Sequence, residues 1–311
     1  MILSASRRTD IPAFYSEWFM KRIREGYVLV RNPMNYHSIS KVILDPSVLD
    51  CIVFWSKNPA PLLPYLTELS EKYQYYFQYT LNAYDSDIEP NLPPLEERIN
   101  TFITLSKTVG KERVIWRYDP IVLTEKYSLK WHLNTFEYLA SRLSTHTNSC
   151  VFSFLDIYDK IVGNMNHLRI IPINATMMKE LSSAMQIIAN QSQIILKTCS
   201  EDIDLSDLGI AHSCCIDPVL ISKMLGCRLH VKKDPNQRGS CGCIESIDIG
   251  QYNTCRHGCK YCYANYSYQS VCTNAKKHNP DSPILLGQLE DTDKVTERRV
   301  QSIKDIQISM F

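Results

Sequence analysis

Nothing in the 311 residues approaches the run of about 20 apolar residues that a bilayer-spanning helix needs. Net charge is also nearly absent: 34 Lys and Arg against 33 Asp and Glu leave +1. Such a balance argues against general attraction to nucleic acid or anionic membranes and leaves only a local basic patch, Lys232, Lys233 and Arg238. No recognisable nucleic-acid module accompanies that patch. The first residues, Met1-Ile-Leu-Ser-Ala-Ser-Arg-Arg, lack the basic stretch followed by a long apolar segment that marks a signal peptide. No internal repeat or low-complexity tract interrupts the chain. These absences predict a cytoplasmic protein without membrane attachment, in a compartment where thiols stay reduced.

What the chain does have is a 44% apolar share, enough for a well-buried core, and twelve cysteines. In a reducing compartment that many cysteines point to metal or cluster binding rather than disulfides. Those outside any site, Cys51, Cys150 and Cys227, read as ordinary buried apolar residues.

Short β-rich runs alternate with longer segments of helical period, the pattern of an α/β fold with a parallel sheet and crossover helices. The strand candidates are 2–6, 51–56, 75–80, 113–118, 150–155 and 194–198, with weaker ones at 212–216 and 244–249. Helices are predicted at 12–24, ending at Gly26, at 95–109 before Gly110, and at 129–143 after a Ser128 cap. Two more fit 174–189 and the segment from Asp217-Pro218 to Gly226. Eight strands in this length suit a TIM-type (β/α)8 barrel, complete or partly open. A single barrel domain is expected over residues 1–270, cysteine-rich from 199 to 262, with 271–311 as a tail packed on it.

The chemistry concentrates in Cys255-Arg-His-Gly-Cys259-Lys-Tyr261-Cys262. Spaced C-x3-C-x2-C, these residues can turn three soft sulfur ligands towards one inorganic centre, with Gly258 permitting the tight backbone. A structural zinc site would need a fourth ligand from elsewhere, for example Cys272, Cys243 or His257. With an aromatic residue just before the last cysteine, the run resembles the signature of the radical S-adenosylmethionine (SAM) enzymes. The whole chain, from Ser4-Ala-Ser-Arg-Arg-Thr-Asp10 to Cys262-Tyr-Ala-Asn265, resembles an uncharacterised bacterial family of unknown function with such a cysteine cluster near its C-terminus. The resemblance implies that Cys255, Cys259 and Cys262 hold a 4Fe-4S cluster whose fourth iron binds SAM. One electron would then split SAM to methionine and a 5′-deoxyadenosyl radical, which acts on a substrate. Because that superfamily carries its motif near the N-terminus, the fold would be a circular permutation, with the cluster-bearing strand last and beside strand one.

A looser set comprises Cys199 at a strand end, the pair Cys214-Cys215, and Cys241-Gly-Cys243 before the last strand. Cys199, Cys215, Cys241 and Cys243 could hold a second 4Fe-4S cluster or zinc, or could be buried thiols. Cys215 is preferred to Cys214 because it adjoins the Ile-Asp-Pro cap.

Polar residues gather at the predicted strand ends, where barrel enzymes place their sites. They are Ser6, Arg7, Arg8 and Asp10; Ser56, Lys57 and Asn58; Thr80 and Asn82; Arg117, Tyr118 and Asp119; Asp156, Tyr158 and Lys160; and Lys197 and Glu201. Singly, each reads best as a solvated or ion-paired loop group. Under the permutation, the resemblance implies that SAM is met by Ser6, Arg7 and Arg8 near its amino group and by Arg117 and Asp119 near its ribose, with Tyr261 in the aromatic place. The Gly-Gly-Glu pattern of the family is absent at Ser6 to Arg8. The excess of Arg and Lys suggests an anionic substrate, small or macromolecular, and the chemistry requires an electron donor such as flavodoxin or ferredoxin. The rival readings are a zinc- or iron-sulfur-binding protein without SAM chemistry, serving nucleic-acid binding or electron transfer.

Overall fold

The computed structural model describes residues 1–157 and 159–305. β1 (Ile2–Ala5) leads into α1 (Ile11–Phe14) and α2 (Ser16–Glu25). The single helix expected here is interrupted at Tyr15, which has non-helical φ and ψ and donates its phenol to the Thr254 carbonyl. Gly26 ends α2 in the left-handed conformation at φ 76°, as its position predicts. A hairpin follows, β2 (Tyr27–Asn32) and β3 (Asn35–Ile43), and then β4 (Cys51–Ser56), α3 (Leu66–Ser70) and β5 (Tyr75–Thr80). Next come α4 (Leu95–Val109), β6 (Val114–Ile121), α5 (Leu129–Leu143), β7 (Ser149–Phe154), α6 (Asp159–Met165), α7 (Ala175–Gln191) and β8 (Ile195–Thr198). The chain continues through β9 (Ala211–His212), α8 (Pro218–Leu225), β10 (Ile247–Asp248), α9 (Tyr268–Ala275) and β11 (Lys294–Glu297).

Eight strands form one parallel sheet in the order β10-β1-β4-β5-β6-β7-β8-β9. Ser4 lies opposite Asp248, so the last strand of this sheet is beside the first. Among the described residues no ladder joins β9 to β10; the backbone pairing therefore defines a sheet with two edges, each a strand of two residues. The strands expected at 212–216 and 244–249 are shorter than their sequence suggests. The first turns inward after Ser213, and the Cys215 carbonyl accepts from Tyr76 Oη at 2.6 Å and Gln78 Nε2 at 2.9 Å instead of from a ladder.

Side-chain alternation divides the sheet into two faces. Ile52 and Phe54 of β4, with Tyr75 and Phe77 of β5, pack against helix residues such as Phe19, Phe102 and Phe136. Cys51, Val53 and Tyr76 face the other way, against Cys215, Ile216, Ile221, Cys241 and Ile244. Helices thus cover one face, and α8 with the cysteine-rich segment covers the other. Truncating a buried aromatic such as Phe77 or Trp116 would cost about 3–5 kcal/mol through lost burial and the cavity left behind.

The hairpin β2–β3 and β11 make a second, three-stranded sheet. The C-terminal segment is therefore part of the fold: Leu285 and Leu286 join the main core, and Trp18 Nε1 donates to the Ser282 carbonyl at 2.9 Å. Arg31 forks onto Asp293 at 2.7 and 2.8 Å. No helix among the described residues is long and apolar enough to cross a membrane.

Candidate functional site

The carboxyl ends of the parallel strands share one edge, and the loop after β10 carries Cys255, Cys259 and Cys262 along it. Its backbone is fixed locally. Cys262 N–H donates to the Cys259 carbonyl at 3.2 Å, Asn265 N–H to the Cys262 carbonyl, and Asn265 Nδ2 to the Cys255 carbonyl at 2.5 Å. Gly258 turns the chain at φ 72°, where a Cβ would lie 2.9 Å from Asn91 Nδ2. All three thiols are free, and they lie near enough for Cys255 to feel both others. Burial pushes each thiol above its ordinary pKa. Protonated, they would lose their protons on taking a metal.

Two buried struts hold this loop. Lys57, just past β4, donates Nζ to Glu89 Oε1 at 2.8 Å, and Tyr261 Oη donates to the same oxygen. Burial works against a charged Glu89, but Lys57 and Arg98 outweigh it and hold its pKa below the usual carboxylate range. On the other side His257 Nε2 meets Asp10 Oδ2 at 2.8 Å, while Asp10 also accepts from the backbone N–H groups of Lys57 and Ala13. His257 is thus a buried loop residue tied to a carboxylate.

The expected SAM-binding residues divide. Ser6 donates to Asp248 Oδ1 at 2.6 Å, and Arg8 donates Nε to the same oxygen at 3.0 Å and Nη2 to the Asp248 carbonyl. They brace β1 against β10. Arg7 is held loosely, with Nη1 3.7 Å from Asp234 and its guanidinium 5.3 Å from the Trp55 ring centroid. Its buried Nη2 has no hydrogen-bond partner among the described residues. Arg117 forks onto Asp119 and donates Nη1 to Cys215 Sγ at 3.0 Å, while Ser153 donates to Asp119. These two residues are committed to each other and to the second cysteine set.

That second set converges. Cys199 Sγ lies 3.3 Å from Cys215 Sγ, and Cys215, Cys243 and Cys241 are near enough in turn to influence one another's ionisation. Cys243 Sγ also accepts from Ile216 N–H at 3.4 Å. Cys214 packs against the Cys241-Gly-Cys243 turn, its sulfur 2.6 Å from where a Cβ on Gly242 would stand. Among the described residues, no group of three or more His, Cys, Asp or Glu is arranged to hold a single metal ion.

Other strand-end residues have local partners. Ser56 caps the Asn58 N–H, Asn82 bridges to Asp119, and Arg238 pairs with Asp156 at 2.5 Å. Glu201 accepts from Phe154 N–H, and burial raises its pKa to about 7. It shares a cleft of about 460 Å³ with Asp156, Ser200, Asp202, Arg238 and Ser240. Lys233 donates to the Gly239 carbonyl, so part of the basic patch turns back on its own loop. Tyr158 lies outside the described residues, as does the side chain of Lys160. Cys51 and Cys150 are fully buried as expected, whereas Cys227 is half-exposed and Cys272 exposed.

Glu89, Asp248 and Asp234 are the site residues the sequence did not reveal. A buried carboxylate looks like any loop acid until its cations are brought to it. Asp248 alone offered a signal: an acid inside a predicted strand at its carboxyl end.

The donor set suits a thiophilic centre. Three thiols share one short loop, and two buried polar atoms of its own neighbourhood, His257 Nδ1 and Asn265 Oδ1, have no hydrogen-bond partner among the described residues. No curated protein and no solved structure matches the chain. Residues 2–264 match the family model described as "Domain of unknown function (DUF1848)", and the chain belongs to that family.

Proposed function

We propose that the protein is a radical SAM enzyme, with Cys255, Cys259 and Cys262 ligating a 4Fe-4S cluster and leaving one iron for SAM. The observation that carries this reading is the place of the C-x3-C-x2-C loop. It follows the carboxyl end of β10, and β10 pairs in parallel with β1. That is the neighbourhood a permuted, partly open barrel would provide. When bound, the cluster supplies the electron that cleaves SAM and so starts hydrogen-atom abstraction from a substrate.

The chain's own residues bind and position. Lys57, Glu89 and Tyr261 pin the loop from beneath, and Asp10 with His257 pins its first turn. The unpartnered Nη2 of Arg7 is the group best suited to a SAM carboxylate, since a buried guanidinium N–H without a partner favours an anion. Arg8 and Ser6 act through Asp248 to hold the strand ends that would flank the cofactor. The enzyme would work in the cytoplasm with a small reductant protein of the flavodoxin or ferredoxin kind.

Anaerobic purification with iron and sulfide analysis, followed by reduction in the presence of SAM, tests the proposal. The expected result is brown protein with about four irons at this site that releases methionine and 5′-deoxyadenosine. Colourless, zinc-loaded protein, or iron-loaded protein that leaves SAM intact, would overturn it. Arg7→Ala should weaken SAM binding about tenfold or more, the scale of one charge-assisted hydrogen bond.

A further inference from the structure

We propose that Cys199, Cys215, Cys241 and Cys243 form a second, fully ligated site: a tetrathiolate centre for one thiophilic metal ion or one iron-sulfur cluster. It shares no ligand with the site at Cys255. The four sulfurs come from three separate segments, the end of β8, the turn after β9 and the approach to β10, yet they lie in one file. Buried apolar cysteines have no reason to seek one another, and Cys51 and Cys150 sit singly within their strands. In the protonated form, close S–H contacts such as that of Cys199 with Cys215 are open to adjacent thiols. Deprotonated, the same four sulfurs would repel one another unless a cation stood between them.

Two further observations favour such a centre. Arg117 Nη1 donates to Cys215 Sγ at 3.0 Å, and the cation of Arg7 acts on Cys243 and Cys215. N–H groups directed at ligand sulfurs are what a protein uses to stabilise a negatively charged thiolate centre. The second is the lack of regular structure. Residues 227 to 245 contain no helix or strand; the isolated bridges Leu229 to Lys304 and Lys233 to Ile244 and scattered loop hydrogen bonds, such as Asp234 N–H to the Cys243 carbonyl, hold them. A segment without helix or strand that still buries Cys241 and Cys243 gains from being stapled by a metal. Gly242 fits the turn between them, because a side chain there would strike the Cys214 sulfur.

The test removes the first site. Full-length protein carrying Cys255→Ala, Cys259→Ala and Cys262→Ala is loaded in one arm with zinc or cobalt(II), and in the other with iron and sulfide under anaerobic conditions. Retention of about one zinc or cobalt, with thiolate-to-cobalt charge transfer, identifies a single-ion site; retention of about four irons with sulfide identifies a cluster. In the arm that loads, adding Cys241→Ser and Cys243→Ser should cut bound metal at least tenfold. Metal removal from the triple variant should open residues 227–245 to proteolysis, whereas Cys214→Ser should keep the metal. Less than about 0.1 metal per chain in both arms, or metal that survives loss of Cys241 and Cys243, would overturn the proposal. Because SAM cleavage is not read, these outcomes are separate from those of the first site.

Discussion

Lys57 Nζ and Glu89 Oε1 meet at 2.8 Å beneath the cysteine loop, 32 residues apart in the chain. Glu89 is almost fully buried, and among the described residues its second oxygen has only Arg98 at 3.6 Å. Lys57→Met should therefore lower the unfolding free energy by about 3 kcal/mol in urea titration, since it strands a buried carboxylate. The double variant with Glu89→Gln should recover part of that loss. Because the folded pKa of Glu89 is depressed, its contribution is present above the ordinary Glu value of about 4.3 and fades as pH falls below it. A loss under about 0.5 kcal/mol for Lys57→Met would show the pair to be dispensable.

Asp248 gathers Ser4, Ser6, Arg8 and the backbone N–H groups of Arg7 and Gly250 around one carboxylate. Asp248→Ala leaves those donors facing each other and should cost about 3 kcal/mol. On the proposed cluster assignment it should also lower the iron that Cys255, Cys259 and Cys262 take up, because the loop would lose its anchor on β1. Normal iron content with unchanged denaturation would contradict both expectations.

Gly258→Ala combines a left-handed backbone with a contact of 2.9 Å to Asn91. The conformational part alone is worth about 1–2 kcal/mol. The expected signature is reduced iron retention with far-ultraviolet dichroism unchanged, since the strain is confined to the loop. Parallel iron analysis and thermal melts of wild type and variant would decide it.

His132 sits away from the site, its Nδ1 2.8 Å from Tyr118 Oη and its Nε2 3.0 Å from the Val122 carbonyl. Burial lowers its pKa to about 4. Unfolded, the imidazole titrates near 6.5, so between about pH 6.5 and 4 the unfolded chain takes up a proton that the folded one refuses. Stability should fall as pH drops through that window and should be insensitive to this group above it. From pH 7.5 to 5 the loss is about 2 kcal/mol, and His132→Gln should remove it. Equal slopes in the two proteins would rule out His132 as the source.

Elements with a strong local signal were legible. β4, β5, α4 and α5 have the ends their patterns predict, and Ser128 caps α5 by accepting from Trp131 N–H. β11 escaped because all four of its residues are exposed, leaving no apolar alternation to see. The hairpin β2–β3 was hidden by a polar, exposed start at Asn35 to His37. β9 and β10 owe their two residues of pairing to neighbouring strands rather than to propensity. At the candidate site, the cysteine spacing could be read, and so could the closeness of Cys199 to Cys215. The struts could not, because Glu89 and Asp248 acquire meaning only from partners brought by the fold.

The pairing of Ser4 with Asp248 spans 244 residues of chain. During synthesis β1 emerges first among the sheet strands, and its place against β10 stays vacant until the cysteine loop itself is about to emerge. Local helices and the β4 to β8 ladder can form earlier, since their contacts are closer in sequence. The cysteines would thus be delivered to a nearly finished scaffold. If the cysteines take a metal as proposed, its loading would follow the formation of the rest of the sheet, since the last strand and the cysteine loop arrive together.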